Sequence, residues 1–276
     1  MFSAAMTDQP ISNSSEVPLA PKREIFAWAM YDFANSGYTT VVLTTIFNTY
    51  FVSVIAGSVS GFESGTPTLL WSITIALANA IVLLTAPVVG VMADQRALKK
   101  TFLAVSTAGC ALSTAALAWI GPGDVVAAMI LVILATVMFS SGENLIASFL
   151  PEIAPVKDLG RISGYGWGLG YIGGMITLLA CLGYISKAEQ AGLETQAAIP
   201  GTLLITAAIF ALAAIPTFLW LKERGVVNSE ARSWGLRASV ANAVCKTLQT
   251  LKHASHYRDL FRFLLSLTLY NCGVYT

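Results

Sequence analysis

Six stretches of this sequence stay apolar for about twenty residues or more, near 33–56, 69–93, 101–120, 125–147, 164–185 and 200–221, and a seventh opens near 259. An α-helix rises 1.5 Å per residue, so about 20 residues cross the roughly 30 Å of hydrocarbon in a bilayer. No strict two-residue alternation runs through them, which removes a transmembrane β-barrel. In lipid the backbone has no water to bond, and a lone segment satisfies its own N–H and C=O groups only as a helix. The chain therefore reads as an all-α membrane protein with a six-helix bundle and the start of a seventh helix. Composition agrees. Charged residues make up 11% of the 276 positions, where a soluble domain carries roughly 25%, so soluble enzyme folds are excluded.

Charge sidedness orders the helices. Of the 16 Lys and Arg, only Lys187 falls on connections after odd-numbered helices. The rest gather before helix 1 (Lys22, Arg23), between helices 2 and 3 (Arg96, Lys99, Lys100), between 4 and 5 (Lys157, Arg161), and from Lys222 to Arg262. Basic residues are retained on the cytoplasmic face, which places the amino terminus inside, in a bacterial inner (plasma) membrane. The domains read as a disordered cytoplasmic tail over 1–24, the bundle over 25–221, a linker over 222–258, and the opening of a seventh helix over 259–276. In the linker, Trp234, Val240, Val244, Leu248 and Leu251 among Arg237, Lys246 and Lys252 suit an amphipathic helix on anionic membrane lipids. The chain stops inside the seventh span, so a C-terminal helix bundle is expected to be missing.

Other chemistries find little support. Cys110, Cys181, Cys245 and Cys272 show no metal spacing. His253 and His256 lack a third ligand, so no metal is expected, and no cofactor. A Gly168-Leu-Gly170-Tyr-Ile-Gly173 run matches G-x-G-x-x-G, but no strand precedes it and no βαβ unit surrounds it. Nucleic acid is not an expected partner, because no basic face comes with stackable aromatics. There is no HExxH, and no His in any span, so the chain is not read as an enzyme.

Six helices, a long basic loop and a further helix resemble the plan of a major facilitator superfamily transporter. The run Gly90-Val91-Met92-Ala93-Asp94-Gln95-Arg96-Ala97-Leu98-Lys99-Lys100 resembles that superfamily's G-x-x-x-D-R/K-x-G-R-R/K loop. Gly90, Asp94 and Lys99 match; Gln95, Ala97 and Leu98 depart, so the tight turn lacks its second glycine. Trp28-Ala29-Met30-Tyr31-Asp32-Phe33-Ala34-Asn35-Ser36 resembles the "unknown major facilitator" family. So do Phe149-Leu150-Pro151-Glu152-Ile153-Ala154 and Gly160-Arg161-Ile162-Ser163-Gly164-Tyr165-Gly166-Trp167-Gly168-Leu169-Gly170-Tyr171. That family includes the fungal autophagy-related effluxer of vacuolar amino acids. The resemblance covers about 25–276, the front half of such a protein. It implies secondary transport of a small-molecule substrate by alternating access, more firmly than it implies amino acids. A truncated or non-transporting scaffold module is the alternative.

Candidate site residues follow. Asp32, Asn35, Ser36 and Thr39 are spaced i, i+3, i+4 and i+7, one polar stripe on a helix. An Asp facing lipid at mid-membrane costs about 3 kcal/mol, so the stripe faces a cavity as a substrate or proton site, unless Asp32 lies shallow at the interface. Glu143 and Asn144 interrupt helix 4 and suit proton binding; the alternatives are snorkelling or a structural pair with Arg161. Trp167 and Tyr171 either line the cavity or pack. Asn79, mid-span in helix 2, either lines it or bonds structurally, and Pro87 is expected to kink that helix. Gly166, Gly170 and Gly174 form small-xxx-small steps for close helix packing. Resemblance implies that Gly90, Asp94, Arg96, Lys99 and Lys100 form a gate, with the acid contacting helix ends of the other half; a solvated turn is the alternative.

Overall fold

The computed structural model describes residues 18–225, together with 238, 240–245, 248–249, 262–263 and 265–270. Six of its helices are long and apolar enough to cross a membrane. They are α1 (Lys22–Ile55, counting its π-helical turns), α2 (Thr66–Arg96), α3 (Lys99–Ala116), α4 (Val125–Ala147), α5 (Leu159–Gln190) and α6 (Thr195–Trp220). A one-turn helix, Leu150–Ile153, links α4 to α5. No strand occurs among the described residues.

The packing order is set by α1, which lies against both α5 and α6; α4 lies against α2 and α3, and α3 against α6. Lipid tails are as apolar as Leu, so helices in a membrane associate through close packing and hydrogen bonds rather than through the hydrophobic effect. Both devices are present. Tyr31 and Tyr38 of α1 share hydrogen bonds with Thr107 of α3 (2.9 Å) and Thr136 of α4 (3.0 Å). The Trp28 indole N–H donates to the Ile146 carbonyl at 2.8 Å, and the Thr217 hydroxyl to the Ala27 carbonyl at 2.7 Å. Phe139 stacks at 5.0 Å from Tyr38. Gly142 leaves room for the Tyr31 hydroxyl, which a Cβ there would meet at 2.5 Å.

Between α1 and α5 the device is glycine. A Cβ at Gly170 would lie 2.9 Å from the Ser36 hydroxyl, and one at Gly174 2.9 Å from that of Thr40; at Gly166 and Gly173 it would overlap the Asp32 carboxylate and the Phe33 carbonyl. The small-residue steps are thus a seam against the polar stripe of α1. That helix also carries π-helical turns at Thr39–Thr44 and Phe51–Ile55. There Thr40 and Thr44 hydroxyls donate to carbonyls of Ser36 and Thr40, local bonds of the kind that compete with the helical ladder.

Several boundaries differ from those expected. The first helix begins at Lys22, not near 33, and Ala20 before it is buried with its N–H on the Ile153 carbonyl. The end of the expected tail, 18–24, is therefore ordered on the bundle. Likewise α2 and α5 run several residues past their apolar cores, because hydropathy fades where helices enter the polar headgroup layer. Pro87 lies inside α2 without ending it. Of the linker, 240–245 and 248–249 are helical with Val240, Val244 and Leu248 exposed, and 265–270 are helical where the seventh helix was expected. Residues 1–17, Trp234, Arg237, Lys246, Leu251, Lys252, both histidines and Cys272 lie outside the described residues.

Candidate functional site

The glycine seam brings α5 so close to α1 that their polar and aromatic faces share one cavity of about 580 Å³. From α1 come Asp32, Asn35, Ser36, Thr39 and Thr40; from α4, Glu143; from α5, Trp167, Gly170, Tyr171, Gly174, Met175 and Leu178. A second crevice of about 280 Å³ continues from Asp32, Glu143 and Trp167 past Asn144, Ser163 and Leu150. Trp167 and Tyr171, 67% and 70% exposed, stand on the open side with ring centroids 6.2 Å apart. Eight of the residues singled out in the sequence therefore concern one region, and seven of them converge there.

Asn79 does not: it is exposed on α2 and lines neither crevice. Arg161 does not pair with Glu143; it pairs with Asp158, three residues before it, at 3.1 Å. Asp32 does not sit at the start of its helix. With α1 starting at Lys22, ten residues of helix place it about 15 Å inward.

What marks this cavity is unsatisfied polarity. The hydroxyls of Ser36 and Thr40 donate back to their own helix, to Asp32 and Ser36 carbonyls at 2.9 and 2.8 Å. Asn35, only 3% exposed, has neither its Nδ2 nor its Oδ1 bonded. Among the described residues Asp32 and Glu143 have no ion pair or hydrogen bond through their carboxylates, and no Lys, Arg or His lines either crevice.

The end of the bundle where α1 begins is built in the opposite way. Lys99, 8% exposed, bridges Asp94 at 2.7 Å and Glu152 at 2.8 Å. Glu152 also accepts the Arg224 backbone N–H at 3.1 Å. The Arg224 guanidinium forks onto both oxygens of Glu24, at 2.7 and 2.8 Å. That hydrogen-bonded carboxylate holds the guanidinium above its ordinary pKa. Glu223 accepts backbone N–H groups of Lys99 and Lys100 at 2.6 and 3.3 Å, so a carboxylate sits on the otherwise unbonded N-terminus of α3. Lys100 donates to the Leu221 carbonyl at 2.7 Å. The chain leaving α6 is thereby tied to α1, to α3 and, through Glu152, to the segment after α4.

The loop residues expected as a gate are partly in this network: Asp94, Lys99 and Lys100 are, while Gly90 and Asp94 line a small crevice with Asn144 of α4. The missing second glycine changes less than expected. Ala97 itself takes the left-handed conformation, φ 49°, and makes the turn. Glu24, Glu223 and Arg224 were not singled out from the sequence. Their partners lie up to 200 positions away, and only Glu152, inside a family-like run, carried a signal.

Comparisons with known proteins follow the same lines. Residues 68–276 match the family model described as "Vacuole effluxer Atg22 like". Over 252 residues the chain is 31% identical to an uncharacterized MFS-type transporter, YxiO, of Bacillus subtilis (strain 168); the match covers 91% of this chain and 57% of that protein. The chain thus spans little more than half the length of that relative. No solved structure matches. With six membrane-length helices and a family model matched from within α2 onward, the chain belongs to the vacuole effluxer Atg22-like family of the major facilitator type.

Proposed function

We propose that this chain is the first half of a proton-coupled secondary transporter of a small solute, with amino acids as the first candidates. The observation that carries the reading is the pair of unpartnered carboxylates, Asp32 and Glu143, facing one cavity. Buried acids that serve only structure are paired; an acid in a membrane helix without a partner marks a substrate or proton path. A second helix bundle, continuing from the seventh helix, closes the other side of the cavity. The charged end lies in the cytoplasm of a bacterial inner membrane, where the bases of the loops belong. Alternating access then moves the two halves about the midplane site, and the loop from Gly90 to Lys100 gates it, with Asp94 exchanging partners between Lys99 and helix ends of the second half. The name of the matched family supports export, and that of the bacterial relative supports transport by a major facilitator protein.

The test is uptake into proteoliposomes holding the full-length protein, under an imposed pH gradient, against a panel of amino acids. Asp32→Asn and Glu143→Gln each abolish gradient-driven uptake while leaving the protein folded. Unchanged uptake in both variants rejects coupling through these acids. A wild type that moves no solute under any gradient leaves the scaffold alternative standing.

A further inference from the structure

We propose that the cavity recognises the protonated amine of its substrate, holding an aliphatic ammonium between Asp32, Glu143 and Asn35 against the rings of Trp167 and Tyr171. The proposal rests on the transport reading above and names the chemical class that the site takes.

Two carboxylates line the cavity with no cationic side chain among its lining residues. A carboxylate accepts hydrogen bonds and donates none, and a primary ammonium offers three donors and accepts none. The match is one of number as well as sign, because a third acceptor waits beside the acids. Asn35 is 3% exposed and lines the cavity, and its Oδ1 has no donor. A buried carboxamide left unbonded is costly, and its neighbours on α1 cannot relieve it, since Ser36 and Thr40 have spent their protons on carbonyls of their own helix. A ligand bearing N–H groups relieves its Oδ1, though not its Nδ2. The remaining wall points the same way. Trp167 and Tyr171 present exposed, mutually tilted rings, and aromatic faces attract an organic cation that has shed its water. A bare metal ion draws far less from such a wall and asks for a full shell of oxygen ligands. A solute whose only charge is negative meets two carboxylates on this wall of the cavity.

The experiment is equilibrium dialysis of radiolabelled tyramine with the purified full-length protein. The competitors are isopentylamine, N-acetyltyramine, isopentanol and sodium chloride. Tyramine binds and isopentylamine displaces it, while N-acetyltyramine and isopentanol, which keep the shape without the charge, displace it poorly. Affinity falls about tenfold or more in Asp32→Asn and in Glu143→Gln, the loss expected of a hydrogen bond to a charged group, and roughly threefold in Trp167→Leu. Size-exclusion profiles matching wild type keep these losses from being unfolding. Equal displacement by N-acetyltyramine, tyramine binding unchanged in both acid variants, displacement by sodium alone, or no tyramine binding at all overturns the proposal. Gradient-driven uptake of a solute lacking an amine, in a protein that binds no tyramine, sinks the amine and spares the transporter. Tyramine binding by a protein that moves nothing does the reverse.

Discussion

At the end of the bundle where α1 begins, Glu24, Glu152 and Glu223 each meet a base or a helix N-terminus; farther along the helices, the side chains of Asp32, Glu143 and Asn35 have no hydrogen-bond or ion-pair partner among the described residues. The residue types are the same and the chain supplies enough cations for both regions. The difference lies in what each region is for. Where acids and bases are matched inside one half of the molecule, the contacts fix helix ends and the exit of α6. Where they are left unmatched, the proposed function supplies the missing partner from outside the fold, as a proton or a ligand. Stability and function are thereby separated along the same helix, since α1 carries Glu24 in the first set and Asp32 in the second.

Breaking the matched region has the largest expected effect on stability. Lys99→Met keeps the length and apolar stem of the side chain but strands Asp94 and Glu152. Removing one partner of a buried pair costs about 3 kcal/mol, part of it softened here because Asp94 is largely exposed. Thermal unfolding in detergent shows a large fall in Tm. The same measurement on Asp32→Asn shows no fall, because no partner is stranded. A similar loss in both variants erases the distinction between the regions.

A step smaller in size is the seam that holds the two stripes together. Gly173 sits on the backbone of Phe33, and backbone cannot swing aside as a side chain can. Gly173→Ala pushes α5 from α1 and costs about 2 kcal/mol, as overpacking does. Gly168, with open space around it, is the matched control, and Gly168→Ala leaves Tm nearly unchanged. Equal Tm values for the two variants would show that the seam is slack and that the cavity wall is not set by it.

The two regions were unequally legible in the sequence. Lipid imposes length and self-satisfied backbones, so six apolar runs became six helices, and the stripe of Asp32, Asn35 and Thr39 fell on one cavity face because period fixes it. The rotation of α2 was not legible. That helix is apolar all round, so its pattern gives no preferred face, and Asn79 is exposed and lines neither crevice. The start of α1 was hidden by its charges. Lys22, Arg23 and Glu24 look like a solvated tail until Arg23 is seen over the Trp220 ring at 4.1 Å and Glu24 on Arg224. These are partners from about 200 positions along the chain, and no local pattern announces them.

The smallest effect tests whether the matched region carries strain. Ala97 ends α2 with φ 49°, and the N–H of Leu98 returns to the Ala93 carbonyl at 3.0 Å, the closing bond of a left-handed helix cap that glycine favours. A residue with a Cβ pays about 1 kcal/mol for that conformation. The neighbouring Lys99 is anchored by two acids and Glu223, and these contacts hold the turn in place. Ala97→Gly removes the strain, and the greater freedom of glycine in the unfolded chain returns part of the gain. The net expectation is a stabilisation of about 0.5 kcal/mol, read as a small rise in Tm. It adds nothing in a Lys99→Met background if the two acids on Lys99 are what impose the left-handed turn, because the segment after Ala97 is then released from them. A lower Tm in Ala97→Gly alone rules out strain at this turn.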